Sequence, residues 1–378
     1  MSKATLEGKS ISSEEAYRKA ADILSSARFP LIAGLGADIA GARSAILLAE
    51  RVRGAFDHLA SQEILADLDV MRSFSMFTTT PNEARVRADC FLFVGPGLTK
   101  LWPTMVERLA PGQSPRHGAQ AGAPRKIFWL GPAGPEAAGV GALSINAPVT
   151  EISGLLAQLR ATIGGRPITT EAARATPAIA EIAQALKAAH FGVVVWSASA
   201  GLDTLAIEML QGIVADLNAS TRCTGVPIGA RAGAAGVTQT AGWMTGFPPR
   251  TAFGRGYPEH DAWRFEARRL VESGETDAAL WISAYDGEPP PWARADLPLI
   301  TLAPAGKEPG RGLYIEVGQP GVTHDAVEYA QEIAAMTLRK ASQPTATPSV
   351  GVVVWSASAG LDTLAIEMLQ GIVADLNA

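Results

Sequence analysis

Two stretches of this chain share one pattern, and that pattern restricts the fold more than anything else in the sequence. From Phe191 to Ala219 an apolar strand, Val193-Val194-Val195-Trp196, runs into a small-residue turn, Ser197-Ala198-Ser199-Ala200-Gly201, and then into a helix. That helix repeats apolar residues at Leu202, Leu205, Met209, Leu210, Ile213, Val214 and Leu217, which is one face of the helical period. From Phe29 to Val52 the order recurs: strand Leu31-Ile32-Ala33, turn Gly34-Leu35-Gly36, and a helix opening at Asp38 with Ile39, Ala42, Ile46 and Ala49. The match continues downstream. Ala88-Asp89-Cys90 through Gly97 parallels Thr276-Asp277-Ala278 through Gly287, Phe128 through Gly134 parallels Ile300 through Gly306, and Leu143-Ser144-Ile145 parallels Leu313-Tyr314-Ile315. Apolar strands alternating with helices predict an α/β fold of two related Rossmann-like halves, each a doubly wound parallel sheet covered on both faces.

Read in chain order, residues 1–10 form a polar arm and residues 11–165 a first domain. Gly164-Gly165-Arg166-Pro167 is the candidate linker, and residues 166–341 make a second domain. Ser12 and Glu15 form a capping box that starts the first helix. Further helices are expected at 98–109, at 170–189 with a bend near Pro177, near 261–273, and at 324–340, the last of the domain helices; 225–256 reads as a glycine-rich loop. Residues 342–378 are a linker followed by a letter-for-letter copy, because Gly192–Ala219 recurs as Gly351–Ala378. One slot in a sheet cannot hold both copies. The first is expected in the sheet and the second at the periphery.

The net charge of −5 over 378 residues, with no basic stripe, gives nucleic acid no footing. Two cysteines, Cys90 and Cys223, are too few for a disulfide framework or a zinc ribbon. No charged-then-apolar leader opens the sequence and no apolar run is long enough for a bilayer, so a cytoplasmic protein away from membranes is expected.

The chemistry is thinly signalled. Gly34-Leu35-Gly36-Ala37-Asp38-Ile39-Ala40-Gly41 carries two glycines of the dinucleotide fingerprint and lacks the third at its spacing. Gly95-Pro96-Gly97 is a poorer anion cradle, since Pro96 has no amide to donate. His58 lies past a strand end near Glu63, where doubly wound sheets place sites, but without a partner it reads as a solvated loop residue. Arg255, Tyr257, Glu259, His260 and Asp261 form a polar-aromatic cluster in a long loop that also holds Trp243 and Phe247. With no nucleophile–base pair evident, that loop reads as a contact surface for a subunit or a carrier.

From Glu14 to about Pro304 the sequence resembles the B subunit of formylmethanofuran dehydrogenase, a tungsten- or molybdenum-pterin protein. The resemblance is carried by Ala88-Asp89 and its strand, Trp243-Met244-Thr245-Gly246-Phe247-Pro248, Arg255-Gly256-Tyr257-Pro258, and Gly274-Glu275-Thr276-Asp277-Ala278-Ala279-Leu280. That family opens with a cysteine-rich iron–sulfur segment, whereas Met1 to Arg28 contains no cysteine. The family's metal-ligating cysteine follows an Ala-Ser-x sequence; here Ala60-Ser61-Gln62 is followed by Glu63, a hard carboxylate in place of a soft thiolate. The family's pterin-binding C-terminal part has no counterpart after Arg311.

A scaffold with these departures resembles the B subunit of the bacterial formyltransferase/hydrolase complex. The resemblance implies a non-catalytic structural subunit without cofactor or metal of its own, assembled with the A, C and D subunits. Those partners would hold zinc and a methanofuran-like carrier. The complex passes a formyl group from tetrahydromethanopterin to the carrier and hydrolyses it to formate in formaldehyde oxidation, as part of methylotrophy. Two alternatives stay open: an active tungsten- or molybdenum-pterin oxidoreductase, and a nucleotide-binding α/β enzyme, since Pro30 to Gly41 also resembles the central domain of thiamine diphosphate enzymes.

Overall fold

The computed structural model describes residues 3–132, 134–168, 177–229 and 233–359, with backbone alone from Trp355 onward. The chain divides into two compact units, and neither is a continuous stretch of sequence. The first comprises Met1–Ser61, Ala232–Tyr329 and Met336–Ala378; the second comprises Gln62–Arg231 and Ala330–Ala335.

Sixteen strands are described: β1 Ala4–Leu6, β2 Lys9–Ile11, β3 Leu31–Gly36, β4 Ala55–Phe56, β5 Cys90–Val94, β6 Lys126–Leu130, β7 Leu143–Ile145, β8 Gly192–Trp196, β9 Cys223–Pro227, β10 Thr251–Ala252, β11 Glu259–His260, β12 Ala279–Ser283, β13 Leu299–Ala303, β14 Leu313–Glu316, β15 Ala326–Ala330 and β16 Ala335–Arg339. The first unit holds the sheet β11-β10-β4-β3-β12-β13-β14-β1-β2, and the second holds β7-β6-β5-β8-β9. In the first, β4-β3-β12-β13-β14 run parallel, with Leu31 opposite Ala279 and Ile300 opposite Leu313, while antiparallel strands finish both edges. The second sheet is parallel throughout, with Cys90 opposite Gly192 and Gly192 opposite Cys223.

Both sheets are buried on both faces, which explains their continuous apolar runs. On β12, Leu280 and Ile282 join the core containing Ile32 and Leu302, while Ala279 and Trp281 join the opposite core with Leu31 and Leu299. The second sheet likewise sends Leu92, Val94 and Trp196 to one side and Phe91, Phe93 and Trp129 to the other. Helix Ile39–Arg51 lies close on β3 because Ala42, Ala45 and Ala49 present almost no bulk. Gly34 is required where it stands: its φ is +81°, and a Cβ there would strike the Ile282 carbonyl oxygen.

The α/β class and the strand equivalences hold, and the domain boundary is corrected. The repeat pairs β3 with β8 and β5-β6-β7 with β12-β13-β14, but the sheets form across the repeats. β3 and β4 join β12-β13-β14, while β8 and β9 join β5-β6-β7. Gly164–Pro167 therefore lies inside the second unit instead of linking two domains. Both three-strand blocks present a fully apolar edge strand, so the local sequence pattern does not decide which strand-helix-strand piece each one takes.

Other elements differ too. The expected arm at 1–10 supplies β1 and β2, with Ala4 buried opposite Ile315. The helix expected at 324–340 is the hairpin β15–β16. The stretch 225–256 contains helix Ala234–Thr245, and 261–273 is helical at Ala267–Glu272. The segment 98–109 breaks into Leu98–Leu101 and Met105–Leu109. Pro177–Ala188 is helical, and 169–176, where the upstream part is expected, lies outside the described residues.

The first copy of the duplicated sequence occupies β8, as expected. The second begins helix Val350–Ala359, which packs on helices Ile39–Arg51 and Ser13–Ser26. Its described start is not peripheral: Val353 and Val354, with Val350 just before the copy, are buried in the first unit's core, and 360–378 lie outside the described residues. Gly41 permits the approach, since a Cβ there would sit 3.0 Å from the Val350 Cβ.

Candidate functional site

Doubly wound sheets bind ligands where the strand order reverses, at the carboxyl ends of the strands. In the first unit that point lies between β3 and β12, and Asp38 follows β3. Its Oδ1 accepts from the Gly41 amide at 2.9 Å, filling the N-terminus of helix Ile39–Arg51. Burial pushes the Asp38 carboxyl above its ordinary range; the Gly41 amide and His324 oppose this and Glu328 adds to it. After β12, the Tyr285 hydroxyl donates to Glu328 Oε1 at 2.7 Å, and Glu328 Oε2 meets Arg339 Nε at 2.8 Å. Burial and then the Glu328 charge push the Tyr285 phenol far up. Asp38 thus takes an amide that a phosphate at this helix N-terminus would need.

In the second unit the reversal lies between β5 and β8, and the counterpart of Asp38 is Asp203 after β8, whose Oδ1 accepts from the Ala206 amide at 2.7 Å at the N-terminus of helix Thr204–Leu217. On the other side of β5, Glu136 accepts from the amides of Gly97 at 2.6 Å and Thr99 at 2.9 Å, and from the Thr99 hydroxyl at 2.7 Å. In each unit the chain's own carboxylate takes amides that an anionic ligand would need. Gly34 and Gly36 are explained by the closeness of β12.

His58 is buried, not solvated, being 2% exposed, and its Nδ1 accepts from the Ala60 amide at 3.0 Å. Beside it is a polar network that the sequence did not announce. Asp57 accepts from the Ser61 hydroxyl at 2.5 Å and from the Ala267 amide at 2.8 Å, and its Oδ1 lies 3.7 Å from Arg250 Nε. Burial pushes the Asp57 carboxyl up to about 6 against the pull of Arg250, Ser61 and the amides of Ala267 and His58. The only available signal was a charged residue directly after the buried pair Ala55-Phe56. Glu63 sits half-buried in the first turn of helix Ser61–Phe74. Among the described residues, no three His, Cys, Asp or Glu side chains converge as a metal-binding group.

The aromatic loop is partly assembled. The rings of Phe247 and His260 stack at 6.1 Å, and His260 Nδ1 lies 3.0 Å from the Arg250 carbonyl oxygen. Arg255 reaches the Tyr257 hydroxyl at 3.5 Å and Glu259 at 3.3 Å. Trp243 projects from the last turns of helix Ala234–Thr245. Trp263, which sequence reasoning passed over, is 71% exposed under the Arg269 guanidinium at 4.5 Å. With Trp243 68%, Tyr257 52% and Phe247 39% exposed, this short stretch displays four large aromatics to solvent. Next to them is a cleft of about 330 Å³ lined by Phe29, Gly254, Arg255, Glu259, Arg264 and Phe265, among others.

The chain is 31% identical over 340 residues to the B subunit of the formyltransferase/hydrolase complex of Methylorubrum extorquens, covering 89% of this chain and 90% of that protein. It belongs to the family of that B subunit. The family's fold is shared as well: a chain of the crystal structure of the formyltransferase/hydrolase complex of Methylorubrum extorquens with methylofuran superposes with a TM-score of 0.85. That match is at 30% identity and covers 98% of this chain and 99% of that one. The B subunit of the tungsten-containing formylmethanofuran dehydrogenase 2 of Methanocaldococcus jannaschii is 25% identical over 358 residues, 89% of this chain and 80% of that protein. No family model matches the sequence. Among the described residues no helix is long and apolar enough to cross a membrane.

Proposed function

We propose that this chain is a non-catalytic structural subunit of a cytoplasmic formyltransferase/hydrolase complex, assembled with subunits of the A, C and D kinds. The complex would transfer a formyl group from tetrahydromethanopterin to a methanofuran-like carrier and hydrolyse it to formate in formaldehyde oxidation. Zinc and the carrier would lie with the partner subunits. The observation that supports the non-catalytic reading is that the helix N-termini beside both strand reversals, where this fold class binds ligands, are capped by the chain's own carboxylates, Asp38 and Asp203. Glu63 stands where the dehydrogenase resemblance places a metal-binding cysteine. The chain's two thiols, Cys90 and Cys223, are buried in β5 and β9 and cannot serve as substitutes. The donor set does not fit a tungsten- or molybdenum-pterin centre. The surface of Trp243, Phe247, Arg255, Tyr257, His260 and Trp263 serves as the contact with a neighbouring subunit, since aromatics and arginine are the residues interfaces favour.

Affinity purification of the tagged chain from its source cells tests this. The expected result is co-purification with the other subunits and formyl hydrolysis by the assembly, none by the chain alone, and no stoichiometric tungsten or molybdenum. Turnover by the isolated chain, or metal bound within it, would overturn the reading.

A further inference from the structure

The slot that β8 and helix Thr204–Leu217 fill in the second unit is specified by residues that occur twice in the chain. β8 lies between β5 and β9 and pairs with both over Gly192–Trp196. Gly192 fits because a Cβ there would sit 3.3 Å from the Cys223 Sγ, and Gly212 fits because a Cβ there would run into the Arg160 guanidinium. The Trp196 indole donates to Asp67 Oδ1 at 3.1 Å, and the Ser197 hydroxyl donates to the Ile228 carbonyl at 2.9 Å. Asp216 accepts from Arg160 Nε at 2.8 Å, and Asn218 Nδ2 donates to the Cys223 carbonyl at 2.6 Å. All six return in the second copy, as Gly351, Gly371, Trp355, Ser356, Asp375 and Asn377. Asp89 fixes the entry of β8 through the amides of His190 and Phe191, and Ser349 and Val350 carry amides at the same two places. What the second copy lacks is Phe191, 4% exposed, where it has the smaller Val350, and the continuation into β9.

We propose that residues 351–378 of one copy of this chain fill the slot between β5 and β9 of a second copy when that copy's own β8 is displaced. The exchange needs no new complementarity, since identical residues meet an identical slot, which is the condition for segment swapping between protomers. The local copy holds the slot in the intact fold, through Phe191 and its covalent join to β9. Entry of the second copy also unwinds helix Val350–Ala359 and withdraws Val353 and Val354 from the first unit's core, so the exchange stays closed while β8 is in place. The occupant comes from another molecule because the strap before it is fastened. The amides of Ser342, Gln343 and Thr345 donate to the carbonyls of Gly321, Val322 and Thr323, the Ala341 amide donates to Asp325 Oδ1, and the Pro348 carbonyl accepts from Gly318 at 2.8 Å. The segment therefore starts from a held point with little slack, and a second molecule brings its slot to it.

The test places the same change at equivalent positions of the two copies in the full-length chain. Val193→Pro breaks the ladder in the middle of β8, where a central strand does not tolerate proline. Val352→Pro would break the ladder of the second copy, yet in the first unit it falls in the first turn of helix Val350–Ala359 at a site 51% exposed, where proline is accepted. Amide exchange is read on β5 and β9, whose sequences are unique, and association by light scattering against wild type. The expected result is that Val193→Pro keeps β5 and β9 protected and gains a dimer that wild type lacks. Val352→Pro alone should match wild type. The double variant Val193→Pro/Val352→Pro should lose the dimer and exchange at β5 and β9 about tenfold faster or more. A Val193→Pro chain that loses protection as fully as the double variant, or aggregates, overturns the proposal, because the second copy then does not fill the slot. Protection kept without a dimer overturns it as well, since no second molecule is then involved. So does protection kept in the double variant, because the sheet would then hold without either copy. Wild type refolded from denaturant at rising concentration gives an independent reading: a dimer fraction that Val352→Pro abolishes supports the exchange, and one that it leaves unchanged refutes it.

Discussion

Asp89 and Asp277 make the same pair of bonds in the two units. Asp89 accepts from the amides of His190 at 2.8 Å and Phe191 at 3.0 Å, immediately before β8. Asp277 accepts from the amides of Arg28 at 2.9 Å and Phe29 at 3.0 Å, immediately before β3. Each carboxylate stands at the foot of a central strand and fixes the entry of the parallel strand beside it. The two latches join pieces from opposite repeats, so they mark the crossed pairing that the linear repeat conceals.

Removing a latch should release the strand it holds. Asp277→Ala is expected to destabilise the first unit by about 1–3 kcal/mol, the range for hydrogen bonds to a charged acceptor. Asp89→Ala should do the same to the second. Burial resists the ionisation of Asp277, but the amides of Arg28 and Phe29 and the Arg28 guanidinium outweigh it and hold the carboxyl below its usual range. The stability contributed by Asp277 is thus present above the unfolded carboxyl pKa and is lost as pH falls through the folded value. Denaturant unfolding across the acid range up to neutrality should show an acid limb that Asp277→Ala flattens. An unchanged limb would refute the assignment.

Asp57 gives the opposite sign. Its carboxyl titrates near about 6 in the fold against an ordinary value of 3.8, because burial penalises the charge. The folded chain takes up a proton between those values, so stability falls as pH rises across that window and is level above it. The size is about 3 kcal/mol at most, from about 1.36 kcal/mol per pKa unit. Asp67, whose Oδ1 accepts from the Trp196 indole at 3.1 Å, is also pushed up to about 6 by burial and adds to the slope. Asp57→Asn should remove part of this slope, and Asp67→Asn another part. Slopes identical to wild type in both variants would contradict the account.

Much of the fold was legible because buried parallel strands are unbroken apolar runs that end at glycine, proline or small polar residues, as in Cys90–Gly95 and Leu299–Pro304. The pairing of β3 with β12 was not legible, since no local pattern distinguishes β12 from β5 as its neighbour. The hairpin β15–β16 reads as a helix because Ala, Glu and Gln favour one, while Ala334 at φ +50° turns the chain instead. The aromatic loop could be picked out as a cluster, and within it the Phe247 ring stacks on His260. Asp57 and Arg250 were invisible as partners, because their meeting depends on β4 pairing with β10.

The two thiols offer a check on the second sheet. Cys90 and Cys223 stand in one register on either side of Gly192, two strands apart. That separates their Cα atoms by roughly twice the strand spacing of about 4.8 Å, beyond the reach of a disulfide. Burial pushes the Cys223 thiol up to about 12 and the Cys90 thiol higher still. A thiolate-seeking reagent at mildly alkaline pH should therefore modify neither in the native protein and both in denaturant, and oxidants should not join them. Rapid labelling of the native chain would place at least one of them outside the sheet.

The last prediction concerns one sequence in two conformations. Gly-Val-Val-Val-Trp is strand at 192–196 and helix at 351–355. Between β5 and β9 its backbone groups find ladder partners; at 351–355 no strand flanks it, so its backbone bonds are made within the segment itself. Val353 is 1% exposed against the Ala-rich helix Ile39–Arg51, whereas Val352 is 51% exposed. Val353→Ala should cost the first unit about 1–3 kcal/mol in denaturant unfolding, from lost burial and the cavity left behind. Val352→Ala should be neutral within about 0.5 kcal/mol, as exposed substitutions are. Equal effects at both positions would mean that the repeated segment does not dock through its valine face, and the first unit's core would then end at Val317.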